Sequence, residues 1–327
     1  MIQIIDNTLT AMDQFLPTKE DLHSFCELLI TIGVDMIEMS VTAYKRMEFL
    51  PEEGKFLLNI SDREDKNPYP GFYRYISRYG EVKDDFIPEI QLNDVREIVK
   101  LREFHGQKDI RIVGLDDLIC YSYDKVMKEI TRSLPGCNII FCPENSYQCA
   151  GALAIHWAMN YGKSLTTSFA GCKNNAATEE VIMALRLAAR HKPNRNLTVL
   201  PRLTALYEKI TGQRVGNKKP VIGDKIFHVE AGIHADGIIK NPNTYEAFCP
   251  LCVGKSSKII IGKHSGTKAI KLKLAEMKLP IPNESGIHSI LGEVKLRCMT
   301  ERKSLSDQEF YNLVLEVTSN ERGQTYR

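Results

Sequence analysis

Residues 3–40 read QIIDNTLTAMDQFLPTKEDLHSFCELLITIGVDMIEMS. An apolar run at 3–8 precedes Thr18-Lys-Glu-Asp21, a capping-box pattern in which the threonine side chain accepts an amide three residues on. Apolar Leu22, Phe25, Cys26 and Leu29 then recur at helical spacing, and a second apolar run stands at 36–40. Strand, amphipathic helix and strand in that order form a βα unit, which belongs to a parallel sheet because parallel strands need a long crossover.

The alternation continues through the first half. Candidate strands stand at 3–8, 36–40, 56–60, 73–77, 89–92, 110–114, 138–142 and 165–169. Eight of them close a TIM-type (β/α)8 barrel of the α/β class, whose active site lies at the strand C-terminal ends. Thr178-Glu-Glu opens another amphipathic helix through Val181, Ala184, Leu185 and Ala188, stopped by His191-Lys-Pro-Asn-Arg-Asn196. Eight strands by residue 170 is compact beside the roughly 250 residues usual for such barrels. Residues 61–72, SDREDKNPYPGF, carry Pro and Gly but no helical pattern. An eroded barrel lacking at least one crossover helix is therefore expected.

After Lys192 the texture changes. A helix at 203–210 leads into a Gly-, Pro- and His-rich segment at 227–266, and amphipathic runs follow at 267–277 and 284–297. The expected organisation is a barrel over 1–192, a linker and cap over 193–266, and a small helical subdomain over 267–327.

Lys and Arg number 43 against 41 Asp and Glu, with no block of like charge, which argues against a strongly basic nucleic-acid surface. No apolar run approaches the length of a bilayer span, and the start MIQIIDNTL reads as a strand, not a signal peptide. The nine Cys lack the spacing of a small disulfide framework, which fits reduced thiols in a cytoplasm. A cytoplasmic chain with no nucleic-acid or membrane partner is expected.

Three motifs in the second half are specific when taken together: Gly232-Ile-His-Ala-Asp-Gly237, Asn241-Pro-Asn-Thr-Tyr-Glu246 and Gly262-Lys-His-Ser-Gly266. With Asp6-Asn-Thr-Leu9 and the helix at 176–185, they make the chain resemble the homocitrate synthase and 2-isopropylmalate synthase family. Members join acetyl-CoA to a 2-oxoacid, and the nitrogen-fixation type of homocitrate synthase is nearest in length. The resemblance implies a TIM-type barrel, a divalent metal, and a homodimer or heterodimer in which one protomer's cap reaches over the other's barrel. Acetyl-CoA and 2-oxoglutarate, or a similar 2-oxoacid, are the substrates it implies. It also implies that His234 and Tyr245 move the proton of the acetyl methyl group, work for which a positioned imidazole is suited at neutral pH. Glu230 is a candidate partner for His234. Read as structure alone, His234 and Tyr245 shape the cap and Glu230 forms an ordinary salt bridge.

The first half departs from the family pattern. Where members read D-x-T-L-R-D/E-G-x-Q, with the Arg on the substrate carbonyl and the acid on the metal, this chain has Thr10 and Ala11. The family's H-x-H metal pair is replaced by Cys142 and Glu144, which strand alternation aims together into the barrel mouth. A thiolate and a carboxylate suit softer and harder ions respectively, and a third ligand would have to come from Asp6 or Glu38. The G-x-G-E-R-x-G-N pattern stands here as Ser168-Phe-Ala-Gly-Cys-Lys-Asn-Asn175, without the Glu-Arg pair. The expected substrate pocket is lined by Asp6, Thr10, Glu38, Cys142, Glu144 and Asn145, with no metal site assigned. Glu89, Gln91, Asp116 and Asp117 are placed at the mouth by position only.

Cys249-Pro-Leu-Cys252 has a spacing used for redox or zinc chemistry, with His228 or His264 as further ligands; a plain loop is the simpler reading. Lys255, Lys258, Lys263 and His264 are candidates for a CoA phosphate, or simply solvated. Two functions follow. One is a family enzyme with a rebuilt or metal-free centre; the other is a catalytically silent subunit of an active paralogue.

Overall fold

The computed structural model describes residues 1–60, 69–78 and 85–324, with side chains to residue 319. They fall into two compact units, Met1–Gly223 and Asp224–Arg327.

In the first unit eight parallel strands close into a barrel: β1 Gln3–Asp6, β2 Met36–Ser40, β3 Phe56–Asn59, β4 Arg74–Ser77, β5 Phe86–Leu92, β6 Asp109–Gly114, β7 Asn138–Pro143 and β8 Ser164–Thr167. Pairing of β8 with β1 completes it. All eight strands read from the sequence are present. β5 begins three residues earlier than expected because Pro88, which cannot donate to a ladder, masks its start in the sequence.

Helix α1 (Lys19–Ile32) begins as its capping box predicts, with Thr18 Oγ1 accepting the Asp21 amide at 3.2 Å, and ends at the left-handed Gly33. Helices α2 (Val41–Met47), α3 (Tyr123–Ser133), α4 (Ala150–Asn160), α5 (Thr178–Ala189) and α6 (Leu200–Thr211) complete the unit, α6 lying on α1. Between β3 and β5 the described residues contain no helix, and between β5 and β6 the crossover Val95–Phe104 is wound as 3-10 turns. Residues 61–68, within the stretch expected to lack a helix, lie outside the described residues.

Strand register fixes what fills the barrel. Residues paired in a parallel sheet share a face, and residues two apart along a strand share it too. An apolar layer of Ile5, Met36, Leu57, Ile76, Ile87 and Ile140 occupies the interior. Two residues further along the same strands come Glu38, Asn59, Glu89 and Cys142, with Arg111 in register between Glu89 and Ile140. Ser40, Gln91 and Glu144 follow at the C-terminal mouth.

The second unit holds the two-stranded sheet of β9 (His228–Val229) and β10 (Lys258–Ile259), with helices α7 (Gly232–Lys240), α8 (Pro242–Tyr245), α9 (Thr267–Glu276), α10 (Glu284–Glu301) and α11 (Asp307–Gln324). Its core joins Ile261, Ile270 and Leu274 to Ile287, Ile290 and Val294 of α10 and to Phe310, Leu313 and Val314 of α11. The glycines of the GIHADG motif are helical. A Cβ at Gly232 would lie 2.9 Å from the Ala269 nitrogen, and one at Gly237 would lie 2.2 Å from the Tyr245 ring. Close packing, not a left-handed turn, accounts for both. Among the described residues no helix is long and apolar enough to cross a membrane.

Candidate active site

The charged layer of the barrel is a closed network. Arg111, 2 % exposed, donates from both terminal nitrogens to the two oxygens of Glu38, and from Nε to Glu89 Oε2 at 2.6 Å. Asn59 Nδ2 also donates to Glu38 Oε1 at 2.8 Å, and Arg78 Nε reaches the other Glu89 oxygen at 2.7 Å. Burial works against a charged guanidinium here, but Glu38 and Glu89 outweigh it and hold Arg111 above its ordinary range. Burial likewise raises Glu89, while Arg111 and Arg78 outweigh it and leave its carboxyl below the usual carboxylate value. Neither carboxylate faces the mouth as a free base.

Of the residues expected to line the pocket, the structure gathers Thr10, Glu38, Cys142 and Glu144 and turns Asp6 away. With Ile5 in the lumen, alternation puts Asp6 on the outer face of β1. There Thr178 Oγ1 of α5 donates to it at 2.5 Å and the Thr8 amide at 2.9 Å. Burial pushes Asp6 up to about 6, against those two hydrogen bonds. Asn145 serves the scaffold: its Oδ1 accepts the first amide of α4, from Ala150 at 3.0 Å, and its own amide donates to Asn174 O at 2.7 Å. Glu144 is half-buried and accepts from Gln91 Nε2 at 3.3 Å.

Cys142 is 2 % exposed, and burial pushes its thiol up to about 12, with Arg111 and Lys173 pulling the other way. Burial therefore favours the neutral thiol over the thiolate. A divalent ion at this mouth would have to take Glu38 from Arg111, deprotonate Cys142 and do without Asp6. The donor set present does not fit the family's metal.

Three residues of the site were missed in the sequence: Arg111, Asn59 and Lys173. Arg111 had a signal, since IRIVG, MIEMS and FIPEIQL each carry one charge inside an apolar strand. Lys173 had none, because it follows the strand in a loop. Its Nζ donates to Thr10 Oγ1 at 2.7 Å, so an ammonium stands beside the position where the family pattern has Arg.

In the second unit His234 and Tyr245 come together, ring centroids 5.9 Å apart, and both are exposed. Glu230 is committed elsewhere: its Oε1 accepts the His264 amide at 2.6 Å, and a Cβ at Gly262 would fall 2.4 Å from that same oxygen. This pairing explains the glycine of the GKHSG motif. Cys249 and Cys252 are exposed and lie on one turn. Among the described residues, no three His, Cys, Asp or Glu side chains gather as a metal site.

The model of the homocitrate synthase post-HMGL domain-like family matches residues 221–302. Over 329 residues the chain is 28% identical to the homocitrate synthase omega subunit of Clostridium pasteurianum, covering 92% of this chain and 91% of that one. It is 31% identical over 230 residues to homocitrate synthase AksA of Methanothermobacter thermautotrophicus, covering 69% of this chain and 58% of that protein. The barrel is similar to hydroxymethylglutaryl-CoA lyase from Pseudomonas aeruginosa, with a TM-score of 0.53 at 13% identity over 66% of this chain and 94% of that chain. At that identity the likeness is one of fold.

Proposed function

We infer that this chain, which belongs to the homocitrate synthase and 2-isopropylmalate synthase family, acts as a subunit that does not by itself condense acetyl-CoA with a 2-oxoacid. One observation carries the reading: Arg111 occupies both carboxylates in the lumen, at the level where the family's metal chemistry would need free donors. With Thr10 and Ala11 at the positions of the family's Arg and acidic ligand, the first strand lacks both the cation on the substrate carbonyl and the acidic metal ligand.

What the chain retains lies in its second unit. His234 and Tyr245 are paired and exposed, as residues would be that act on a substrate held by another subunit. The relative from Clostridium pasteurianum, matched over 91% of its length, is itself named as a subunit. The partner this suggests is an intact synthase of the same family, in a cytoplasmic heterodimer, with acetyl-CoA and a 2-oxoacid bound in the partner's barrel.

The test is to assay the purified chain for thiol release from acetyl-CoA with a panel of 2-oxoacids, with and without divalent ions. It is then mixed with an intact synthase. Silence alone and co-purification with the intact synthase are expected. Turnover by the isolated chain would instead support an enzyme with a rebuilt centre.

A further inference from the structure

The turn after β8 brings an ammonium group to the end of the neighbouring β1, and the turn is firmly tied. Phe169 N donates to Thr8 Oγ1 at 2.7 Å, and Asn175 Nδ2 to Asn7 Oδ1 at 3.4 Å, which fastens one side to the end of β1. Asn174 O accepts the Asn145 amide at 2.7 Å, which fastens the other side to the end of β7. Ala170 sits in the left-handed region at φ 57°, and buried Glu179 accepts its N–H at 3.0 Å. A non-glycine residue held in that conformation marks a turn whose shape the surroundings dictate.

From this turn Lys173 reaches Thr10, and its partner there is a neutral hydroxyl, not a carboxylate. The acidic groups nearby are otherwise engaged: Asp13 by Ser40 Oγ at 2.7 Å, Glu38 and Glu89 by Arg111, and Glu144 by Gln91. The positive charges of Arg111 and Lys173 both favour the Cys142 thiolate, against the burial that raises the thiol.

We propose that Lys173, with the Thr10 hydroxyl, binds one carboxylate of a small organic acid at the barrel mouth, with no divalent ion in the contact. The cation that the first strand lacks at Thr10 is supplied from the turn after the neighbouring eighth strand. The proposal rests on the reading above that this mouth does not hold the family's metal. It concerns binding, not turnover, so the two can fail separately. Within the site Lys173 donates to the ligand oxygens, and the Thr10 hydroxyl, which otherwise donates to Asn7 O at 2.8 Å, turns its proton toward them.

The test is calorimetric titration of the full chain with 2-oxoglutarate, pyruvate and succinate in excess chelator, with dimethyl succinate as the uncharged control. At least one acid should bind and the ester should not. Lys173→Gln should weaken binding roughly tenfold to a hundredfold, the range for loss of a charge-assisted hydrogen bond. Lys173→Arg should retain it, and Thr10→Val should weaken it less than Lys173→Gln. The side chain of Lys173 is exposed, so its variants should fold, which circular dichroism checks. Binding that needs an added divalent ion, binding undiminished in Lys173→Gln, or no acid bound by the wild type would each overturn the proposal. None of these results bears on whether the chain pairs with a synthase.

Discussion

Arg111 holds together two carboxylates that would repel each other in a lumen shielded from water. Removing one member of a buried ion network leaves the remaining charges without partners, which costs far more than the network itself contributes. Arg111→Met should therefore destabilise the barrel by about 3–5 kcal/mol, read as a shift of the urea midpoint. Converting Glu38 and Glu89 to Gln in the same chain should recover most of that loss. A second readout follows from the chemistry of the donors. With the guanidinium gone, Glu38 is left without a cation and Glu89 keeps only Arg78, and Mn2+ should raise the melting temperature of Arg111→Met while leaving the wild type unmoved. Equal response of the two chains to Mn2+ would mean that Arg111 does not stand in for a cation.

The turn after β8 and helix α5 form a device that responds to pH through Glu179. This carboxyl is buried and pushed up to about 7 by that burial, with Lys219 opposing. A group whose folded value is raised binds more protons folded than unfolded between its two values. Its stabilising contribution is complete below about 4.5 and is lost as pH rises through about 7. Glu179→Gln should therefore narrow the stability difference between pH 5 and pH 8, by on the order of 2–3 kcal/mol. Urea melts at the two pH values check it, and an unchanged difference would show that Glu179 is ionised throughout. The strands around this device were legible in the sequence because each is a short apolar run, whereas the lumen network was not. Glu38, Glu89 and Arg111 lie 22 to 73 residues apart along the chain and meet only once the barrel closes. The tie from Glu179 to Ala170 and the reach of Lys173 to Thr10 depend on a turn conformation that no periodicity reports. α11 escaped the sequence reading as well, although Phe310, Leu313, Val314 and Val317 stand at helical spacing.

The chain as a whole is two bodies with separate cores, and the second is large enough to test alone. Residues 224–327 contain their own apolar cluster, from Ile261 to Val314, drawn largely from α9, α10 and α11. Within that core Lys273, 1 % exposed, spans from α9 to Asp307 at 2.8 Å and Glu276 at 3.3 Å. A buried ammonium satisfied from a neighbouring helix fixes the approach of α11 as well as filling space. A fragment of residues 224–327 should therefore fold cooperatively, giving a sigmoidal thermal melt and dispersed amide resonances. In that fragment Ile290→Ala should cost about 2–5 kcal/mol through the cavity it leaves. Asp307→Asn should cost less, because Glu276 remains to receive the Lys273 charge. The cost of Asp307→Asn should also shrink as pH falls: hydrogen bonding from Lys273 holds the Asp307 carboxyl below its ordinary value. The stability it contributes is thus present above the unfolded value and lost as pH drops through the folded one. A fragment with collapsed but non-cooperative melting would mean that this core is completed only within the full chain. The paired His234 and Tyr245 would then be presented by the whole protein and not by the second unit alone.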